Sequence, residues 1–283
     1  MPKYSPQKFF AFLVIALFTC SCAETTPTPT PITDTPKPTF TATSTSTPKP
    51  TSTSTPVTPR IEYTQAFGID YTNPELYLTQ GEQSRITDPS VLNSLRTNEQ
   101  SLDHLLEIYL WLKQEFTPYS AGGKTIGVVT VDQLLAERYL GGCHDHGLVY
   151  AAVARELGYP AIMARTVSIA WVEQFQAGKQ GPRLGHVFIE VYLENEWILI
   201  DSTNGWYLTE GYDPANPVIP LRGNITGSND EIYGFHAERK GIDTWSFGIH
   251  SPRESMQAMD AFALEMDLAT IEYPEYDFLH FTK

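Results

Sequence analysis

The sequence predicts an α+β domain. Apolar residues recur at helical spacing between residues 101 and 157, and the period changes to two between 161 and 201. The dipeptide Glu194-Asn195 then separates two alternating runs, as the tight turn of a hairpin does.

Two segments precede that domain. Lys3 and Lys8 form a short basic start, Phe9 to Phe18 gives ten apolar residues, and Thr19-Cys20-Ser21-Cys22 follows. A membrane-spanning helix needs roughly 20 residues, so this run reads as the core of a signal peptide. A cysteine directly after such a core resembles the lipobox of bacterial lipoproteins, in which the cysteine is acylated. Leu17 favours Cys20 as that residue, and Ser21 favours Cys22. Residues 1–22 are therefore expected to direct export and to supply a lipid anchor on the outer face of the membrane; plain secretion is the alternative. From Thr25 to Pro59, 28 of 35 residues are Thr, Ser or Pro. Such a stretch has too little apolar surface to offset the entropy of ordering, so residues 23–60 read as a disordered linker.

The remaining residues, 61–283, suffice for one domain with a full core. Residues 1–60 hold five Lys/Arg and two Asp/Glu, which leaves 14 basic against 31 acidic residues after them. No basic patch interrupts that excess, so nucleic acid is not an expected partner.

Within the domain, Asp88–Leu95 reads as a short helix and Ser101–Phe116 as an amphipathic one, with Leu102, Leu105, Leu106, Tyr109 and Leu112 on one face. His104 belongs on a solvated or half-buried side of it. Thr130–Leu140 is a further helix, broken by Gly141-Gly142. Another begins near Cys143 and runs to Leu157, where Gly158 and Pro160 end it. Ala161–Trp171 reads as a strand and the residues up to Gly185 as a loop. His186–Leu193 and Glu196–Asp201 are the hairpin strands. Beyond Asp201 the sequence reads as loop-rich and aromatic, apart from a helix opened by Ser251-Pro252-Arg253-Glu254.

Cys143 is the one cysteine after residue 22, so it has no disulfide partner in the domain. It follows two glycines at a helix start, where free N–H groups and the helix dipole favour a thiolate. A thiolate nucleophile also needs a base and a group to orient that base. If Glu194-Asn195 is a two-residue turn, Leu193 faces Glu196 and Asp201 faces Phe188. His186, two residues from Phe188, is then a diagonal same-face neighbour of Asp201, close enough for their side chains to meet.

Cys143, His186 and Asp201, in that order on helix start, strand and next strand, resemble the transglutaminase-like superfamily of papain-like cysteine enzymes. The similar stretches are GGCHDHGLVYAAVARELGYPA and GHVFIEVYLENEWILIDST, including the turn from Arg155 to Ala161 and the hairpin's Glu190-Val191-Tyr192 and Trp197. They cover about residues 130–205. The resemblance implies a nucleophile helix packed on an antiparallel sheet. It also implies that Cys143 attacks an amide carbonyl, His186 acts as base and then acid, and Asp201 orients the imidazole. A protein or peptide substrate would pass through an acyl-enzyme to water or to an amine. No cofactor is implied.

His144, Asp145 and His146 raise a metal reading. Adjacent helical residues diverge by about 100°, so only Cys143 and His146 share a face, and Asp145 fits better as a stabiliser of the helix start. Trp197 and Trp206 fit core packing better than a groove. Two rival functions remain: a cell-wall peptidase of related papain-like type, and a binding module that uses the same cleft without chemistry.

Overall fold

A computed structural model describes residues 61–119, 123–222 and 232–281, so the expected signal peptide and linker lie outside the described residues. The chain enters through a small hairpin, β1 (Gln65–Ala66) and β2 (Ile69–Asp70), and a 3-10 turn at Pro74–Leu78. The short helix expected near residue 90 is a second 3-10 turn, Pro89–Leu95, whose N-cap Asp88 accepts from the Ser90 amide at 3.0 Å.

Helix α1 (Leu102–Glu115) starts on Ser101, whose hydroxyl accepts from the His104 amide. It buries Leu105, Ile108 and Leu112 almost fully, each side chain contributing about 1.5–3 kcal/mol of transfer free energy. His104 is buried with them, against the expectation of a half-solvated face. Tyr159 Oη at 2.8 Å and the Leu95 carbonyl at 2.6 Å satisfy its ring nitrogens, which makes that burial affordable. Strand β3 (Thr117–Pro118) follows, then α2 (Val131–Glu137), whose Thr130 and Gln133 form a capping box. This helix is shorter than expected. Arg138 takes a left-handed conformation (φ 58°) and ends it, and β4 (Tyr139–Leu140) pairs in parallel with β3.

Helix α3 (Cys143–Glu156) begins at the nucleophile candidate and is buried along most of its length. The Arg155 guanidinium donates to the Ala161 carbonyl at 2.9 Å, closing the turn between α3 and β5 (Ala161–Ser168). Every residue of β5 is buried, Arg165, Thr166 and Ser168 included. The expected strand does not continue to Trp171. Ser168 caps α4 (Ile169–Gln176) by accepting from the Trp171 amide, so much of the expected loop is helical. Ile169 and Val172, three apart, pack with Met259 and Ala263 of a later helix.

Strands β6 (Gly185–Leu193) and β7 (Glu196–Asp201) pair with Leu193 opposite Glu196 and Ile189 opposite Ile200. Glu194 and Asn195 both have positive φ, 52° and 69°, the geometry of a type I′ hairpin turn. The segment beyond is not mainly loop. It adds β8 (Trp206–Leu208), β9 (Val218–Arg222), β10 (Ile232–Gly241), α5 (Pro252–Glu265) and β11 (Leu279–His280). The described sheet has seven antiparallel strands in the order β11-β8-β7-β6-β5-β10-β9.

The sheet has two apolar faces. Met163, Val187, Ile189, Val191 and Ile200 pack under α3 and α1. Ile162, Phe188, Trp197 and Leu199 pack on the other side with Tyr71, Tyr77 and Tyr212. Trp197 is thus a core residue, its indole N–H donating to the Tyr71 carbonyl at 3.0 Å.

Candidate active site

The nucleophile's backbone is fixed from both ends. Gly142 has φ 141°, which disfavours any residue with a side chain, and the space where a Cβ would sit is open. Gly141 N–H donates to Asp145 Oδ2 at 2.8 Å, folding the two glycines back onto the helix start. Asp145 Oδ1 meets His144 Nδ1 at 2.9 Å, and His144 Nε2 meets Thr244 Oγ1 at 2.6 Å. Of the residues weighed as metal ligands, His144 and Asp145 are thereby engaged with each other and with the C-terminal segment. Among the described residues no group of three or more His, Cys, Asp or Glu is arranged to hold a metal ion.

Gly147 sets how closely α3 approaches the sheet. A Cβ there would lie 2.5 Å from Val187 Cγ1, a stiff β-branched neighbour. One turn earlier, half-buried Cys143 reaches the end of β6, where His186 stands. His186 Nε2 lies 2.9 Å from Asp201 Oδ2, an ion-pair distance, although the N–H is not aligned for a hydrogen bond. Nδ1 is the nitrogen left for the Cys143 thiol, which acts on the same ring. Phe188 and Phe235 flank the imidazole at centroid distances of 4.8 and 5.7 Å. The structure therefore brings Cys143, His186 and Asp201 together.

Burial alone would push the imidazolium of His186 down. The adjacent Asp201 charge overrides it, with a further contribution from Cys143, and His186 is raised to about 10. Burial likewise opposes the charge of Asp201, but His186 and the Asn204 hydrogen bonds outweigh it and hold the carboxyl below its ordinary value. Asn204 Nδ2 donates to Asp201 Oδ2 at 2.8 Å, and the amides of Thr203 and Asn204 donate to Oδ1. Lys113 Nζ braces the same loop through the Thr203 carbonyl at 2.6 Å. His146 is buried on the Cys143 side of α3. Burial and Lys113 lower it to about 4, so it is neutral near pH 7.

Sequence reasoning missed Asn204, Lys113 and Phe235, and also a buried arginine. The Arg165 guanidinium donates to Glu238 Oε1 at 2.9 Å, lies at ion-pair distance, 2.8 Å, from Glu238 Oε2, and donates to the Ser255 carbonyl and hydroxyl at 2.9 Å. The DSTN stretch after β7 did hold a signal for Asn204, because an Asp opening such a run commonly accepts from the residues two and three further on. Arg165 offered none, since its partners lie 73 and 90 residues away.

Residues 90–202 match the family model of the transglutaminase-like superfamily. No curated protein matches the chain. Among solved structures it is similar to a candidate cysteine protease from Cytophaga hutchinsonii, at 18% identity and a TM-score of 0.40. That similarity covers 61% of this chain and 48% of the other, so the chain spans about half of that protein's length.

Proposed function

With residues 90–202 forming a transglutaminase-like core, we propose that this protein is a cysteine enzyme that opens amide bonds through an acyl-enzyme. The observation that supports it is the meeting of a helix-start thiol with a His–Asp pair at 2.9 Å. Against the effect of burial, the Asp201 charge raises His186 to about 10, so the ring holds its proton at neutral pH, ready to give it to a leaving group. Cys143 Sγ attacks the carbonyl carbon, and the oxyanion forms beside the Cys143 backbone N–H. His186 gives its proton to the leaving amine, and the C–N bond breaks. In the second half, His186 takes a proton from water or from an acceptor amine, which attacks the thioester and releases Cys143. Asp201 holds the imidazole's orientation throughout.

The N-terminal sequence supports an exported enzyme, lipid-anchored at Cys20 or Cys22 in the cell envelope, acting on protein or peptide substrates. The test is the alkylation rate of Cys143 against pH, followed on the Cys143 peptide by mass spectrometry and compared with His186→Ala and Asp201→Ala. Fast alkylation below pH 7 that collapses in His186→Ala is expected. A rate that rises only near pH 8.5, where an ordinary thiol titrates, and ignores His186 would leave a binding module instead.

A further inference from the structure

The proposal rests on the enzyme reading above and concerns which substrates that site takes. Strand β10 breaks its register with β5 between Ala237 and Arg239, so Glu238 and Arg239 both stand opposite Arg165. Arg165 in turn pairs with Val187, the residue under Gly147 and next to His186. The bulge therefore sets two guanidiniums and one carboxylate in a row across the sheet, beside the start of α3. Arg165 spends its hydrogen bonds on Glu238 and Ser255 and is buried.

Arg239 differs. Its side chain is 47% exposed, its Nε is 3.7 Å from Glu238, and its one hydrogen bond, to the Phe247 carbonyl, is long at 3.3 Å. The loop it touches carries Thr244, which binds His144, the residue after Cys143. A second link runs through Arg165, whose charge couples to the Cys143 thiol. Residues 61–283 hold 31 acidic against 14 basic residues, so a cluster with a surplus cation runs against the overall charge of that part of the chain.

We propose that Arg239, backed by the Arg165–Glu238 pair, is a carboxylate-binding subsite beside Cys143, and that the substrate carries a free carboxylate near the amide to be opened. A guanidinium with open donors suits a planar carboxylate, and the row carries two guanidiniums against one carboxylate.

Two alkylating probes of similar size test this on the full-length protein: anionic iodoacetate and neutral iodoacetamide. The readout is the ratio of their rates at Cys143. The wild-type ratio is expected to exceed that of glutathione and to fall about threefold or more in Arg239→Gln, the scale of one partly exposed charge pair. Arg239→Lys, which keeps the charge on the bulge, retains more of the ratio than Gln does. A wild-type ratio no higher than that of glutathione overturns the subsite. So does a ratio unchanged in Arg239→Gln, or a loss in Arg239→Lys as large as in Gln. Slow alkylation by both reagents would instead sink the nucleophile reading, while their ratio still reports the charge beside Cys143.

Discussion

The molecule carries two buried polar clusters, and they are built to opposite plans. In one, Glu190 accepts from Tyr71 Oη at 2.7 Å, Lys240 Nζ at 2.5 Å and Tyr212 Oη, and Lys240 also binds the Pro214 carbonyl at 2.8 Å. That ion pair is fully buried. At the other cluster, His146 Nδ1, His186 Nε2, Ser202 Oγ and Thr203 Oγ1 are buried with no aligned protein hydrogen bond. The first cluster has its bonding capacity filled and acts as a rivet. The second keeps capacity in reserve, which a group that must exchange protons requires. Burial and charge alone would not distinguish them; the tally of partners does.

Removing the anion from the filled cluster should have the largest effect. Glu190→Ala leaves Lys240 charged and buried, so urea unfolding should show a loss of about 3–5 kcal/mol. Cys143 alkylation should be preserved in whatever fraction remains folded. His186→Ala should do the reverse, slowing alkylation at pH 6 by about 100-fold while moving the urea midpoint far less. If both variants changed both readouts equally, the contrast between the clusters would be broken. Gly147→Ala tests the spacing that joins α3 to the sheet. Overpacking against Val187 should cost about 1–3 kcal/mol and should slow alkylation as well, because the helix carrying Cys143 must shift.

The last prediction is a pH dependence. His186 is raised in the folded state, so its pairing with Asp201 stabilises fully below the unfolded value of 6.5 and is lost as pH rises through about 10. The Tm gap between wild type and His186→Ala should therefore narrow from pH 6 to pH 10. A gap that widened over that range would mean the ring is neutral when folded.

The hairpin was readable because its turn dictates its register. Two positive-φ residues at Glu194-Asn195 fix every pairing from Leu193–Glu196 to Ile189–Ile200, one residue short of Asp201, and the His–Asp neighbourhood follows from extending that register. Strand β10 was not readable. Its sequence, IYGFHAERKG, mixes charge into buried positions, and a bulge interrupts its alternation. Lys240 looks like a loop residue until Glu190, 50 residues away, is placed beside it. The start of α4 failed for a different reason: Ile169, Trp171 and Val172 suit a strand as well as a helix, and the Ser168 cap decided between them. The three candidate catalytic residues could be read in order and spacing, whereas Lys113, Arg165 and Arg239 depend on contacts between distant segments.

The position of β10 beside β5 also bears on synthesis and folding. All three candidate catalytic residues have been synthesised by residue 201, but with the chain only that long β5 has a partner only on its β6 side. Its other flank is an open edge of eight residues, uncharged except at Arg165 and otherwise polar only at Thr166 and Ser168, the kind of edge that recruits other chains. The stretch that carries the chemistry is therefore an aggregation hazard until the last quarter of the chain arrives to cover it.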